Sequence, residues 1–251
     1  MSKHEFASDR RKLLFSVVGV AVSLTLAVLP RRGLAQQTSA ALKVGIIGAG
    51  REGGALGALL IKAGHSVKFS SRHPETLKGL VDGLGPLASA GTVAEAVEFG
   101  DVVMLVIPYA AMEQIGKDFG TAIAKKALVV DVSNPIARRD GEEFVKGVNA
   151  QGGPGLVTAK LLPGARIVRA FNAIGSARLA EIANRPGERV AVPMAGDDAG
   201  AIDLASTLVR EIGFEPVVIG GLAMGKHLVP GTPLGGEHTA AEIRSAVAAL
   251  R

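Results

Sequence analysis

Short, continuous apolar runs recur along this chain, separated by stretches with helical periodicity, and that alternation restricts its fold more than any other feature. Residues 43–47, 66–70, 101–107, 127–131, 167–171, 190–194 and 216–219 each read as a strand. A strand with one wet face alternates apolar and polar residues, whereas Val102-Val103-Met104-Leu105-Val106 is apolar throughout, as expected of a strand covered on both faces. Between the runs lie helix signals. Residues 55–61 are helical in pattern with Gly64 as the stop, Pro74 opens another helix, and Thr92-Val93-Ala94-Glu95 is a capping box. Asp197 or Asp198 caps a helix running to about Glu211, and Thr239 to Glu242 cap a last one reaching Leu250. The pattern predicts a doubly wound α/β domain over residues 42–220 with a mainly parallel sheet. A C-terminal extension with one helix follows over 221–251, and ligands are expected in the crevice beyond the carboxyl ends of the strands.

The chain has 251 residues, 48% of them apolar and 20% charged, enough to build a core and too apolar for disorder. It has no cysteine, which excludes disulfides, thiolate catalysis and cysteine-bound metals, and no metal site is expected. The net charge of +5 invites a nucleic-acid reading, but residues 1–35 hold six bases against two acids, so +4 of the charge sits there. The remainder is nearly neutral and offers few aromatic platforms, so no nucleic-acid partner is expected.

That basic head is a separate object. Arg10-Arg11-Lys12 precede an apolar stretch over 13–29, followed by Arg31-Arg32 and the small residues Gly33 and Ala35. The arrangement resembles a twin-arginine export signal, with Asp9 where that signal prefers Ser or Thr. It implies recognition by the twin-arginine translocase and a periplasmic or exported protein. An uncleaved leader anchored in the inner membrane is the alternative, although 17 apolar residues are short for a span.

Gly48-Ala49-Gly50-Arg51-Glu52-Gly53 follows the first strand and opens the first helix, the context in which G-x-G-x-x-G binds a dinucleotide in a Rossmann fold. Gly48 suits a tight turn, Gly50 lets the backbone approach a pyrophosphate, and Gly53 lets helix and strand sit close. A carboxylate about 20 residues on would select NAD, yet residues 55–74 contain no Asp or Glu. The second strand ends instead in Ser70-Ser71-Arg72-His73, whose hydroxyls and guanidinium suit a 2′-phosphate, so NADP is the expected cofactor. Arg72 as a solvated loop charge is the bland alternative.

These residues resemble the NADP-dependent coenzyme F420 oxidoreductases, the F420-dependent type of the pyrroline-5-carboxylate reductase catalytic domain, related to the NADPH domain of the STEAP metalloreductases. Besides Gly48 to Gly53 and Ser71-Arg72, the resemblance rests on Asp131-Val132-Ser133-Asn134. It also uses Val168 to Asn172 and the late Gly196-Asp197-Asp198. It implies that Ser71 and Arg72 hold the 2′-phosphate, that Ile107, Pro108 and Asn134 border the cofactor, and that Asn172 to Ala177, Ser176 included, floor the nicotinamide site. It also implies F420 or a flavin as second substrate. Ala177 stands where the STEAP pattern puts a tryptophan against its flavin, and a membrane metalloreductase is not expected.

Related Rossmann reductases append a helical domain that builds the substrate site, whereas 32 residues remain here after Ile219. No Lys, His or Tyr stands out as a proton donor. Lys226-His227 is the one candidate pair, and solvated surface is its plainer reading. Hydride transfer to a flavin or deazaflavin needs no dedicated acid, since the acceptor ring carries the electronics. Met104 reads as core, His65 and Asn149 as loop, and Tyr109 as cover for the cofactor or as packing. The expectation is an NADP(H)-dependent oxidoreductase, a weakly held homodimer, passing hydride between NADPH and a small-molecule redox acceptor. A catalytically silent dinucleotide-binding module is the alternative.

Overall fold

The computed structural model describes residues 40–250, and the basic head expected to act as an export signal lies outside the described residues. Strand β1 (Lys43–Ile47) leads into helix α1 (Arg51–Lys62), and β2 (Ser66–Ser70) leads through a 3-10 turn at Pro74–Leu77 into α2 (Lys78–Leu84). The chain continues through β3 (Ala88–Gly91), α3 (Val93–Phe99), β4 (Val102–Leu105), α4 (Met112–Ile123) and β5 (Leu128–Asp131). Three consecutive helices follow, α5 (Ala137–Asp140), α6 (Glu142–Ala150) and α7 (Pro154–Leu161), before β6 (Ile167–Arg169) and α8 (Ser176–Ile182). The remaining elements are β7 (Ala191–Gly196), α9 (Ala199–Glu211), β8 (Glu215–Gly220), a 3-10 turn at Leu222–His227 and α10 (Ala240–Ala248).

The strands form one sheet in the order β3-β2-β1-β4-β5-β6-β7-β8. It is parallel except between β6 and β7, where Arg169 lies opposite Ala195 in antiparallel register. Side chains of successive residues leave a strand on opposite faces, and both faces are covered here. Val44, Val102, Met104, Leu128 and Val130 pack with Leu56 and Leu60 of α1 and with α8 and α9. Their alternates Ile47, Val103, Leu105 and Val129 pack on the other side with Val97 of α3 and with Met112 and Ile123 of α4. Two covered faces explain the unbroken apolar runs. The segment after Gly220 belongs to the same body: Leu228, Leu234, Ile243 and Val247 share a core with Ala191 and Ala195 of β7 and Val217 and Ile219 of β8.

Strand β3 was not anticipated. Ala88-Ser89-Ala90-Gly91 lacks the β-branched and aromatic residues that signal a strand, and pairing with β2 along Val67 to Ser70 creates it. Helices α4, α5, α6, α7 and α8 are additions to the elements expected from the sequence, and Asn149 lies in α6, not in a loop. Strand β6 ends at Arg169, two residues earlier than expected, because Phe171 takes a left-handed backbone conformation (φ 62°) and turns the chain. Among the described residues no helix is long and apolar enough to cross a membrane.

Candidate dinucleotide cleft

Two cavities meet above the carboxyl ends of the parallel strands. One, of about 740 Å³, lies over β1 and β2 and is bordered by Gly48, Ala49, Ser71, Arg72 and, from α4, Gln114. The other, of about 390 Å³, lies over β4, β5 and β6 and is bordered by Arg51, Glu52, Gly53, Asn134, Asn172 and Ser176. Gly50, Ile107 and Pro108 border both, so the two form one cleft. Within the expected floor Ala173 and Gly175 border neither cavity, and neither does Ala177. It is exposed on α8, turned about 100° around the helix from Ser176. The floor comes instead from Phe171, Asn172, Ile174 and Ser176.

The glycine turn is shaped by contact on two sides and space on the third. Gly48 has φ +103°, and a Cβ there would stand 2.2 Å from the Val106 carbonyl oxygen. A Cβ on Gly53 would stand 2.1 Å from the Gly48 oxygen, so helix and strand touch backbone to backbone. A Cβ on Gly50 would meet nothing within 4 Å. The fold itself makes no demand for glycine at 50, and the open space there, beside first-turn amides without a side-chain cap, fits a pyrophosphate.

At the β2 end, Ser70 turns inward and donates to the Ile46 carbonyl (3.0 Å). Ser71 is half-buried and its Oγ accepts from the His73 amide (3.0 Å), which shapes the turn that presents Arg72. Arg72 is exposed and makes no ion pair among the described residues. A hydroxyl and a guanidinium with no neighbouring carboxylate partner suit an anion.

At the other end a buried polar network supports the floor. Asp131 and Arg169 are register partners at the ends of β5 and β6, both fully buried, with Nη1 2.5 Å from Oδ2. Arg169 Nη2 also donates to the Ser133 carbonyl (2.9 Å) and to Asn134 Oδ1 (3.2 Å). Asp131 further accepts from the Ser133 amide and from Thr158 Oγ1, each at 2.9 Å. Asn172 Nδ2 donates to the carbonyls of Asp131 (3.0 Å) and Ser133 (3.2 Å), and Asn134 Nδ2 donates to the Asn172 carbonyl (2.6 Å). Because Nδ2 is committed to two carbonyls, the free atom of Asn172 is an acceptor oxygen, buried with no partner among the described residues. Sequence reasoning saw these residues as family markers and missed the ion pair. Its signal was present: opposite charges closing adjacent apolar strands.

Glu52 carries the most perturbed acid of the cleft. Burial pushes its carboxyl from 4.5 up to about 7, against a hydrogen bond from the Ser176 backbone amide, and Oε1 is buried without a partner among the described residues. Arg139 of α5 borders the same cavity but is engaged by Asp140 (2.9 Å) and the Asn134 carbonyl (2.6 Å).

Several other residues are structural. Tyr109 packs, with its hydroxyl donating to the Pro154 carbonyl (2.6 Å), and burial raises its pKa far above the ordinary phenol. His65 lies in the loop between α1 and β2, as expected, and is buried there: Nδ1 accepts from the Leu42 amide (3.2 Å), so Nε2 carries the proton toward Glu211 (3.1 Å). Met104 is core. Asp198 caps α9 through the Ala201 amide (2.7 Å), while Asp197 accepts from the Leu222 amide (3.0 Å). Lys226 is exposed and His227 half-buried, burial and Lys226 depress the imidazole, and neither borders the cleft.

Residues 43–135 match the family described as NADP oxidoreductase, coenzyme F420-dependent. Metalloreductase STEAP3 of Rattus norvegicus is 30% identical over 198 residues, which is 78% of this chain and 37% of that protein. The chain thus spans little more than a third of that relative's length. A hypothetical protein of Sinorhizobium meliloti has a similar structure, with TM-score 0.65 and 26% identity over 79% of this chain and 95% of that one. A protein assigned as an F420-dependent NADP reductase of Arthrobacter shares the fold, with TM-score 0.64 and 20% identity over 74% and 87% of the two chains. The matched residues 43–135 hold the fingerprint, the Ser-Arg pair and the β4 and β5 ends of the cleft, and over them this chain is similar to the coenzyme F420-dependent NADP oxidoreductases.

Proposed function

We propose that this chain is an NADP(H)-dependent oxidoreductase that passes hydride between NADPH and a deazaflavin or flavin-like acceptor. The observation that carries the reading is the continuous cleft with Ser71 and Arg72 at one end and the Asn134–Asn172 floor at the other. The residues fit the dinucleotide: open space at Gly50 for the pyrophosphate, donors without a carboxylate partner at the β2 end, and at the far end an acceptor oxygen on Asn172 with no partner among the described residues. Bound NADPH supplies the hydride. The chain's part is to hold the 2′-phosphate through Ser71 and Arg72, to fix the far floor through the Arg169 network, and to keep one ring against another.

The test is direct. Purified protein titrated with NADPH and NADH should prefer NADPH, and turnover should follow with F420 or a free flavin. Tight NADPH binding without turnover on either acceptor would identify a dinucleotide-binding module instead. Arg10-Arg11 and the apolar stretch that follows support a further proposal, that the chain leaves the cytoplasm folded through the twin-arginine route. Detection of mature protein beginning near Gln36 in a periplasmic fraction tests it.

A further inference from the structure

We propose that Glu52 is the proton donor of this site, supplying to the hydride acceptor the proton that must accompany the hydride. The proposal rests on the oxidoreductase reading above and adds to it a residue that a flavin-type mechanism does not require.

The geometry isolates this carboxyl. Glu52 stands in the first turn of α1 and borders the β4–β6 cavity together with Asn134, Asn172 and Ser176. One oxygen is anchored by the Ser176 amide across from α8, and Oε1 is buried with no partner among the described residues. An ionised oxygen in that position is costly, whereas a protonated one carries a hydrogen to give. The other charged groups around the cavity are accounted for. Arg139 of α5 is taken by Asp140 and a backbone carbonyl, Asp131 is sealed beneath the floor by Arg169, and Arg51 on the same helix is exposed.

A carboxylate near a helix N-terminus is often no more than a favourable charge against the helix dipole. Here the same helix end is the place for a pyrophosphate, and two anions there repel. Dinucleotide binding therefore selects the protonated carboxyl, and burial already holds Glu52 near neutrality. In the step itself a hydride with its electron pair goes to the acceptor ring, and the O–H bond of Glu52 breaks as its proton goes to the ring nitrogen that has gained charge. The acceptor is reduced by two electrons, NADPH becomes NADP+, and the carboxylate recovers a proton from water.

The experiment uses the whole protein and E52Q, an isosteric change that keeps a hydrogen-bonding group and removes the titration. NADPH affinity is measured from pH 5.5 to 8.5. Wild type should lose about tenfold relative to E52Q across the upper half of that range, the comparison cancelling the titration of the 2′-phosphate itself. The infrared band of a protonated carboxyl should be present in wild type near neutrality, strengthen with NADPH, and be absent in E52Q. Single-turnover reduction of F420 should fall about 10²-fold in E52Q and recover in E52D. Parallel pH profiles for wild type and E52Q with equal turnover overturn the proposal alone, leaving the oxidoreductase reading intact. Wild type that fails to bind NADPH at any pH overturns both.

Discussion

Replacing Arg169 by methionine should unfold more of this protein than any change on its surface, and the cost follows from what the guanidinium holds. Arg169 is completely buried and donates to Asp131, to the Ser133 carbonyl and to Asn134 Oδ1. Methionine fills most of the volume but leaves Asp131 as a buried carboxylate without its cation, a situation that costs about 3–5 kcal/mol. Asp131 keeps its bonds from the Ser133 amide and Thr158, so the lower end, about 3 kcal/mol, is expected. At about 2–4 °C per kcal/mol for a domain of this size, the melting temperature should drop by about 6–12 °C. The double variant D131N/R169M removes the stranded charge while the amide oxygen that replaces the carboxylate still accepts from Ser133, and should return to within about 1 kcal/mol of wild type. Urea unfolding with an unchanged slope provides the comparison. R169M within about 1 kcal/mol of wild type, or a double variant as unstable as the single one, would refute the reading of this pair as a charge that needs its partner.

Other outcomes follow from the cleft and the leader. Arg72→Ala should weaken NADPH by about 1.5–3 kcal/mol and leave NADH nearly unchanged in fluorescence titrations, since only NADPH has a phosphate to lose. Gly50→Val should abolish NADPH binding with an unchanged circular dichroism spectrum, because a Cβ at Gly50 meets only open space in the fold. The folded protein favours the protonated form of Glu52, so the stability linked to this group is present below pH 4.5 and lost as pH rises through about 7. The full conversion is about 3 kcal/mol, which partial exposure reduces to about 1–2 kcal/mol. E52Q should flatten the unfolding free energy between pH 5 and 8 by that amount, as read from urea titrations. Replacing Arg10 and Arg11 by lysines should strand the full-length protein in the cytoplasm, and its continued appearance in the periplasm would remove the twin-arginine proposal.

Local signals carried the first half of the fold. Gly48 to Gly53 encode a strand, turn and helix within a dozen residues, and the capping boxes at Thr92 and Thr239 start helices where expected. Strand β3 was illegible because its four small residues owe their conformation to β2, and the run from α5 to α7 because its helices are short and carry no caps in the sequence. At the site, position that follows from residue type at fixed spacing could be read, as for Ser71 and Arg72, which border the cleft. Chemistry that depends on burial could not. Glu52 is an ordinary acid until α8 covers it, and Arg169 meets Asp131 only after the chain has folded through a crossover that separates them by 38 positions.

The strand order makes the sheet a ruler. Ser71 follows β2 and Asn172 follows β6, and between those strands lie β1, β4 and β5. Four interstrand steps of about 4.8 Å set the two ends of the cleft about 19 Å apart. A fragment that carries only the 2′-phosphorylated adenosine can satisfy the first end and must leave the second empty. An intact dinucleotide laid across the strands touches both, so occupancy of the Asn172 floor reports on the length of what is bound, and not on its phosphate.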